Sequence, residues 1–216
     1  MVINEIFYSI QGEGLLVGVP SVFIRLAGCP LRCEWCDTKY ALDPNAGDDL
    51  GIEQIIDKVE EWPCKFVVIT GGEPMINLQL PKLTAGLKER GKHITIETAG
   101  IAFIEGLFCD LMSISPKLSN SGIKRTPDPF FVRRLIERYP YQLKFVVDSP
   151  DDLPEIRQTI DKLGDIDKGR VLLMPQAKTR DELITKSPMV AEFCKQTGYT
   201  FGNRLHIQLF NGKRGV

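Results

Sequence analysis

The sequence predicts an α/β fold, an open partial barrel of the (β/α)6 type that is a reduced relative of the eight-unit TIM-like form. Three observations predict it. Short apolar runs alternate with segments of helical period along the whole chain. The runs are near-continuous in Val, Ile, Leu and Phe, as strands of a helix-covered parallel sheet are. About six such units in 216 residues fall short of the ~250 residues and eight units of a closed barrel.

Taken in order, SVFIRLAG (residues 21–28) is the first strand and leads into a loop with three cysteines. IEQIIDKVEEW (52–62) places Ile52, Ile55, Ile56 and Val59 on one helical face. KFVVIT (65–70) is a short buried strand ending in GGEP, and NLQLPKLTAGLKERG (77–91) is a helix stopped by Gly91. HITIET (93–98) and CDLMSIS (109–115) are strands, the second running into SPK. DPFFVRRLIERY (128–139) is a helix with an Asp cap and a Pro at its first position. YQLKFVV (141–147), SPDDLPEIRQTIDKL (149–163) and RVLLMP (170–175) follow as strand, helix and strand. TRDELITKSPMVAEFCKQTG (179–198) is a helix with Pro188 as a candidate interruption, and RLHIQLF (204–210) is a closing strand. No repeat, low-complexity tract or linker divides residues 1–216, so one domain is expected.

A net charge of -1 leaves no basic footprint for nucleic acid. No apolar run approaches the ~20 residues of a spanning helix, so no membrane is expected. The opening MVINEIFYSIQGEG carries Glu5 and lacks the basic-then-apolar order of a signal peptide. Six cysteines, three of them crowded, do not resemble a secreted disulfide framework, and a reducing cytoplasm fits best.

In parallel sheets of this kind chemistry sits at the carboxyl ends of the strands. The unusual polar clusters fall there: the cysteine loop, then TGGEP, ETAG and SPK after successive strands. CPLRCEWC holds Cys29, Cys33 and Cys36 within eight residues. Structural zinc usually takes two distant ligand pairs, and here Cys64, Cys109 and Cys194 are isolated while His93 and His206 lie in strand-like runs. An iron–sulfur cluster suits one compact loop better, with zinc, or a disulfide and a spare thiol, as the other readings of the spacing.

The spacing Cys-x3-Cys-x2-Cys after the first strand, with GGEP after the second, resembles the radical S-adenosylmethionine superfamily. That resemblance implies a 4Fe–4S cluster on Cys29, Cys33 and Cys36, with the fourth iron left for the amino and carboxylate groups of S-adenosylmethionine. The series IFYSIQGEG, FIRLAGCPLRCEWCDT, TGGEP, ETAG, SPK and a short terminal NGKRGV resembles the 7-carboxy-7-deazaguanine synthase family from end to end. The family resemblance implies a reduced radical core in which a carbon–nitrogen lyase converts 6-carboxy-5,6,7,8-tetrahydropterin to 7-carboxy-7-deazaguanine. Ammonia is released, and the product feeds queuosine and related 7-deazapurines. It further implies Mg2+, a homodimer and an electron donor such as flavodoxin or ferredoxin.

Residue by residue, Ile10, Gln11, Gly12 and Glu13 resemble the segment lining the pterin pocket, where a Gln amide and a carboxylate read alternating donors and acceptors. QGEG by itself would read as a surface turn. Arg25 would face the substrate carboxylate, or else be an outward strand residue. Thr38 resembles the Mg2+ ligand, completed by substrate and water, and Thr70 a substrate contact. Trp35 would lie beside adenine or plug the loop. Cys36, Asp37, Gly72, Ser115, Pro116 and Lys117, with Glu97 and Gln176 more weakly, resemble S-adenosylmethionine contacts. Glu73 is expected to organise its loop. The end of the chain would fold back to bring the Val216 carboxylate to the pterin, or fray as termini do. His206 would line the pocket or pack within its strand. Other classes compatible with the cysteines are a glycyl-radical-enzyme activating enzyme, which keeps the radical chemistry but acts on a protein, and a non-enzymatic zinc module.

Overall fold

The computed structural model describes residues 1–123 and 128–216. The chain opens with β1 (Val2–Ile10), turns through Gly14–Leu16 and returns as β2 (Pro20–Leu26). The cysteine loop follows, and then β3 (Asp48–Asp49), α1 (Ile52–Glu60), β4 (Phe66–Gly71), α2 (Leu80–Glu89), β5 (His93–Thr98) and β6 (Leu111–Ile114). The second half runs α3 (Pro129–Arg138), β7 (Tyr141–Val147), α4 (Asp152–Leu163), β8 (Val171–Pro175), α5 (Arg180–Thr197), β9 (Thr200–Phe201) and α6 (Leu205–Phe210). One sheet contains these strands in the order β3-β1-β2-β4-β5-β6-β7-β8-β9. From β2 to β9 all neighbours are parallel, whereas β1 is antiparallel to both β2 and β3. The open partial barrel is thus a parallel run with an antiparallel strand on its first edge.

Strand period 2 separates two faces. Ile24, Ile69, Ile96, Ile114 and Phe145 point outward and pack with the helices in one core. Helix α1 supplies Ile55, Ile56 and Val59 to that core, all essentially inaccessible to water, each worth roughly 1.5–3 kcal/mol of burial. The alternate residues Arg25, Thr70, Glu97, Ser113 and Lys144 face a cavity of about 550 Å³. The parallel sheet therefore carries an apolar outer face and a polar inner one.

Capping follows the sequence closely. Asp128 accepts from the Phe130 amide with Pro129 at the first position of α3. Gly91 adopts a positive φ just past α2, the left-handed stop that glycine permits.

Three expectations are corrected. The first strand is β1, not residues 21–28. Its sequence hides the period because the strand is only partly buried and its polar residues Asn4, Glu5 and Ser9 make tertiary bonds. Residues 205–210 form α6 rather than a closing strand. One helical turn buries Ile207 against Ala177 and Leu183, while Leu205 donates to the Gly12 carbonyl (2.8 Å). Pro188 does not interrupt α5. The carbonyl deprived of its usual donor belongs to Ile184, an exposed residue where water can take over.

Candidate active site

The cysteine loop is held from several sides. Gly28 has φ +91°, its amide donates to the Ala41 carbonyl (2.9 Å), and its own carbonyl accepts from the Glu73 amide (2.9 Å). A side chain at Gly72 would collide with the Gly28 carbonyl, so GGEP needs glycine to approach the loop. Glu73 is buried and well bonded: it accepts from Thr98 Oγ1 (2.6 Å), the Ala99 amide (2.7 Å) and the Met75 amide (3.0 Å). Burial raises its carboxyl above the ordinary value although those three bonds oppose the rise. It organises the loop, as expected.

Cys29, Cys33 and Cys36 are free thiols around the same cavity. Burial raises the Cys29 thiol, and the neighbouring Glu73, Cys33 and Cys36 raise it further. Among the described residues no three Cys, His, Asp or Glu side chains converge on one point as a single ion requires. Three thiols spaced around a common cavity suit a cluster that takes one thiolate per iron. Thr38 Oγ1 lies 3.6 Å from Cys36 Sγ. Trp35 donates its indole N–H to the Asn120 carbonyl (3.0 Å). The Lys117 ammonium stands 5.3 Å from the Trp35 ring centre and donates to Ser115 Oγ (3.0 Å). Trp35, Ser115 and Lys117 thus share one wall.

A second wall is a charged network. Lys144 Nζ donates to Glu13 (2.9 Å) and Glu97 (3.1 Å). Glu97 also accepts from Thr70 Oγ1 (2.9 Å) and Gln11 Nε2 (3.4 Å). Arg204 donates to Glu13 (3.0 Å), Asp37 (2.9 Å) and the Ala177 carbonyl (2.6 Å). Burial alone would raise Glu13, but Lys144 and Arg204 outweigh it and hold the carboxyl well below the usual range. Burial lowers His206, only partly offset by Glu13 4.0 Å away. Gly12 packs directly under that ring, where any side chain would collide with it.

A third cluster closes the cavity. Arg25 donates from Nε to Glu5 (2.6 Å). Glu5 also accepts from Tyr40 (3.1 Å) and Arg214 (2.9 Å), and Arg214 stacks 3.9 Å over the Tyr40 ring centre. Ser9 Oγ donates to the Val216 main-chain oxygen. Residues 212–216 therefore fold back onto β1 and line the cavity rather than fray.

The structure brings together Ile10, Gln11, Gly12, Glu13, Arg25, Thr70 and Val216 with the three cysteines, Trp35, Asp37, Thr38, Gly72, Glu97, Ser115 and Lys117. Two expected contacts fall elsewhere. Gln176 bonds to Lys186 (2.7 Å) outside the cavity, because its amide continues the ladder to Val147 and turns the side chain away. Pro116 faces a separate cavity with Asp128 and Glu155. Glu97 lines the main cavity but belongs to the Glu13–Lys144 network instead of the Trp35 wall. His206 stands on a helix and lines the cavity rather than packing in a strand.

Sequence reasoning missed Lys144, Arg204 and the Glu5–Tyr40–Arg214 cluster. Lys144 left a signal: Gln142 and Lys144 sit at alternate positions of an otherwise apolar strand. Arg204 lay within a run misread as a strand.

A family model described as the Radical SAM superfamily matches residues 23–142. A 7-carboxy-7-deazaguanine synthase of Rhodopirellula baltica is 39% identical over 100% of this chain and 89% of that protein. The enzyme of that name from Pyrobaculum aerophilum is 39% identical over 98% of this chain and 95% of its own. Among solved structures, QueE from Escherichia coli superposes with a TM-score of 0.75 at 27% identity, covering 95% of this chain and 94% of that one. Streptococcus suis SuiB shares the fold alone, at 12% identity and a TM-score of 0.60. With matches of this extent, the chain belongs to the 7-carboxy-7-deazaguanine synthase family of the radical SAM superfamily.

Proposed function

We propose that residues 1–216 act as one catalytic unit, a 7-carboxy-7-deazaguanine synthase that contracts 6-carboxy-5,6,7,8-tetrahydropterin with release of ammonia. The observation that carries this reading is the pairing of two walls in one cavity, three free thiols on one and the Gln11–Glu13–Glu97 network on the other. The donor set fits the group that family membership implies: Cys29, Cys33 and Cys36 would hold a 4Fe–4S cluster. Trp35, Asp37, Gly72, Ser115 and Lys117 would hold S-adenosylmethionine beside it. Bound there, cluster and cofactor supply hydrogen-atom abstraction.

The remaining work belongs to the chain. Gln11, Glu13 and Glu97 orient the pterin edge, with Thr70 fixing the Glu97 carboxylate. Ile10 and Gly12 complete that wall, Gly12 by letting the backbone lie against His206. Arg25 engages Glu5 through Nε, which leaves its two Nη nitrogens to grip the substrate carboxylate bidentately. Val216 and Arg214, latched to Ser9 and Glu5, cover the mouth and exclude water. Thr38 would offer a hydroxyl to Mg2+ beside the cysteine loop, with the substrate carboxylate and water as further oxygen ligands. The same reading makes the enzyme a cytoplasmic homodimer that draws electrons from a flavodoxin or ferredoxin.

The test is turnover. Reduced, reconstituted protein with S-adenosylmethionine, Mg2+ and the carboxytetrahydropterin should release 7-carboxy-7-deazaguanine, detected by mass, and the rate should fall when Mg2+ is chelated. An active cluster that consumes S-adenosylmethionine without forming this product would remove the substrate assignment and favour a protein substrate, as in glycyl-radical activating enzymes.

A further inference from the structure

Lys144 stands on the inner face of β7 between two carboxylates, and nothing in the reaction above uses it. Its side chain is 3% exposed, against 17% for Glu13 and 23% for Glu97. The ammonium therefore lies behind the carboxylates, and they face the cavity. Such a lysine borders the cavity but acts on a ligand there chiefly through the two carboxylates it holds.

We propose that Lys144 is a positioning residue that fixes Glu13 and Glu97 as a pair of purely accepting groups, so that the cavity selects a heterocycle presenting adjacent N–H donors on one edge. The inference rests on the pterin reading and deepens it.

Hydrogen-bond capacity supports it. Each ionised carboxylate oxygen can accept two bonds. Glu13 spends one acceptor position on Arg204 and one on Lys144, keeping one on each oxygen. On Glu97, Oε1 is filled by Lys144 and Gln11, while Oε2 takes Thr70 and keeps one. The free positions are all acceptors, matching a ring amide N–H beside an exocyclic amino group. Protonating either carboxyl would place an O–H against those donors.

Two carboxylates sharing one site tend to hold a proton between them unless a cation intervenes. The groups facing the pair on every side are accounted for. Lys144 comes from β7, Arg204 and His206 from the start of α6, and Asp37 from the cysteine loop, where it is committed to Arg204. With Arg204 shared by Glu13 and Asp37, and Glu97 contacted by no other cation among the described residues, Lys144 is the one cation that bridges both carboxylates. The direction of the Glu13 shift agrees.

The test is the affinity of the reconstituted holoenzyme for 6-carboxy-5,6,7,8-tetrahydropterin, measured anaerobically with S-adenosylmethionine between about pH 6 and pH 8.5 for Lys144→Met, Lys144→Arg and the wild type. The wild type and Lys144→Arg should show flat profiles. Lys144→Met should bind about tenfold more weakly at the acid end and recover as pH rises, because one carboxyl now takes a proton. A merely structural role would weaken binding equally at every pH, and a flat Lys144→Met profile overturns the proposal. Carbon-13 spectra of the Glu side-chain carboxyls in the wild type need no variant. Both Glu13 and Glu97 should be ionised at pH 6, and either one titrating between pH 6 and pH 8 also overturns it. Wild-type protein that fails to bind the pterin would sink the substrate reading, while the carboxyl spectra would still decide the role of Lys144.

Discussion

The two walls of the cavity are built in opposite ways. The thiol wall is the more local: Cys29, Cys33 and Cys36 lie in one loop braced at Gly28 by Ala41 and Glu73, with longer reaches from Trp35 to Asn120 and from Asp37 to Arg204. The polar wall is assembled from distance. Lys144 is 131 residues from Glu13 and 47 from Glu97, and Arg204 is 191 from Glu13. A local wall can be changed without the rest of the fold, whereas a distributed one ties β1, β5, β7 and α6 together. Chemistry common to a superfamily can therefore reside in one loop, and substrate choice in the sheet's inner face.

The sharpest way to break the comparison is to remove one thiol. Cys33→Ala should abolish turnover and lose bound iron and sulfide while far-ultraviolet circular dichroism stays native. If the fold is lost as well, the loop is not independent of the sheet. The next largest effect should come from the distributed wall. Arg204→Met removes the cation shared by Glu13 and Asp37 and leaves Glu13 with Lys144 alone, and urea unfolding should report a loss of about 1.5 kcal/mol. An unchanged midpoint would mean the wall does not tie the elements together.

The pH dependence of stability sharpens the contrast. Glu13 titrates below its ordinary 4.5 in the folded protein, so its contribution is present above that value and lost as pH falls through the folded pKa. Lys144 is raised above its ordinary 10.5, so its contribution is present below that value and lost at higher pH. Glu73 works in the other sense: its raised carboxyl makes folding less favourable as pH climbs from 4.5 through the folded pKa. The melting temperature should drop on the acid side, and Glu13→Gln should flatten that limb. An equally steep limb in Glu13→Gln would assign acid unfolding to other groups.

The smallest effect is expected at Gln176, which bonds to Lys186 outside the cavity. Gln176→Ala should change stability by no more than about 0.5 kcal/mol and leave the apparent affinity for S-adenosylmethionine unchanged. A clear loss of affinity would return this residue to the cofactor wall.

The same contrast explains what the amino-acid sequence made legible. The parallel strands were visible because their outward residues, such as Ile69 and Phe145, form apolar runs, and the cysteine loop because its spacing is short. Gln11, Glu13 and Thr70 were found through resemblance, and the structure joins them in one network. Lys144 was passed over because its alternation with Gln142 marks an inner face but says nothing of the two carboxylates that meet it there, Glu97 on β5 and Glu13 in the turn after β1. Strand β1 and helix α6 were misread for a related reason. Both mix apolar residues with polar ones, and tertiary bonds outside any local window, such as Leu205 to Gly12 and Asn4 to Ala46, hold them in place.

The central claim is that cofactor and substrate recognition occupy separable walls of one cavity, and a single comparison addresses it. Anaerobically reconstituted Glu13→Gln protein should carry the wild-type complement of iron and bind S-adenosylmethionine normally, yet bind the carboxytetrahydropterin at least about tenfold more weakly. Loss of iron from that variant, or pterin binding as tight as in the wild type, would contradict the account.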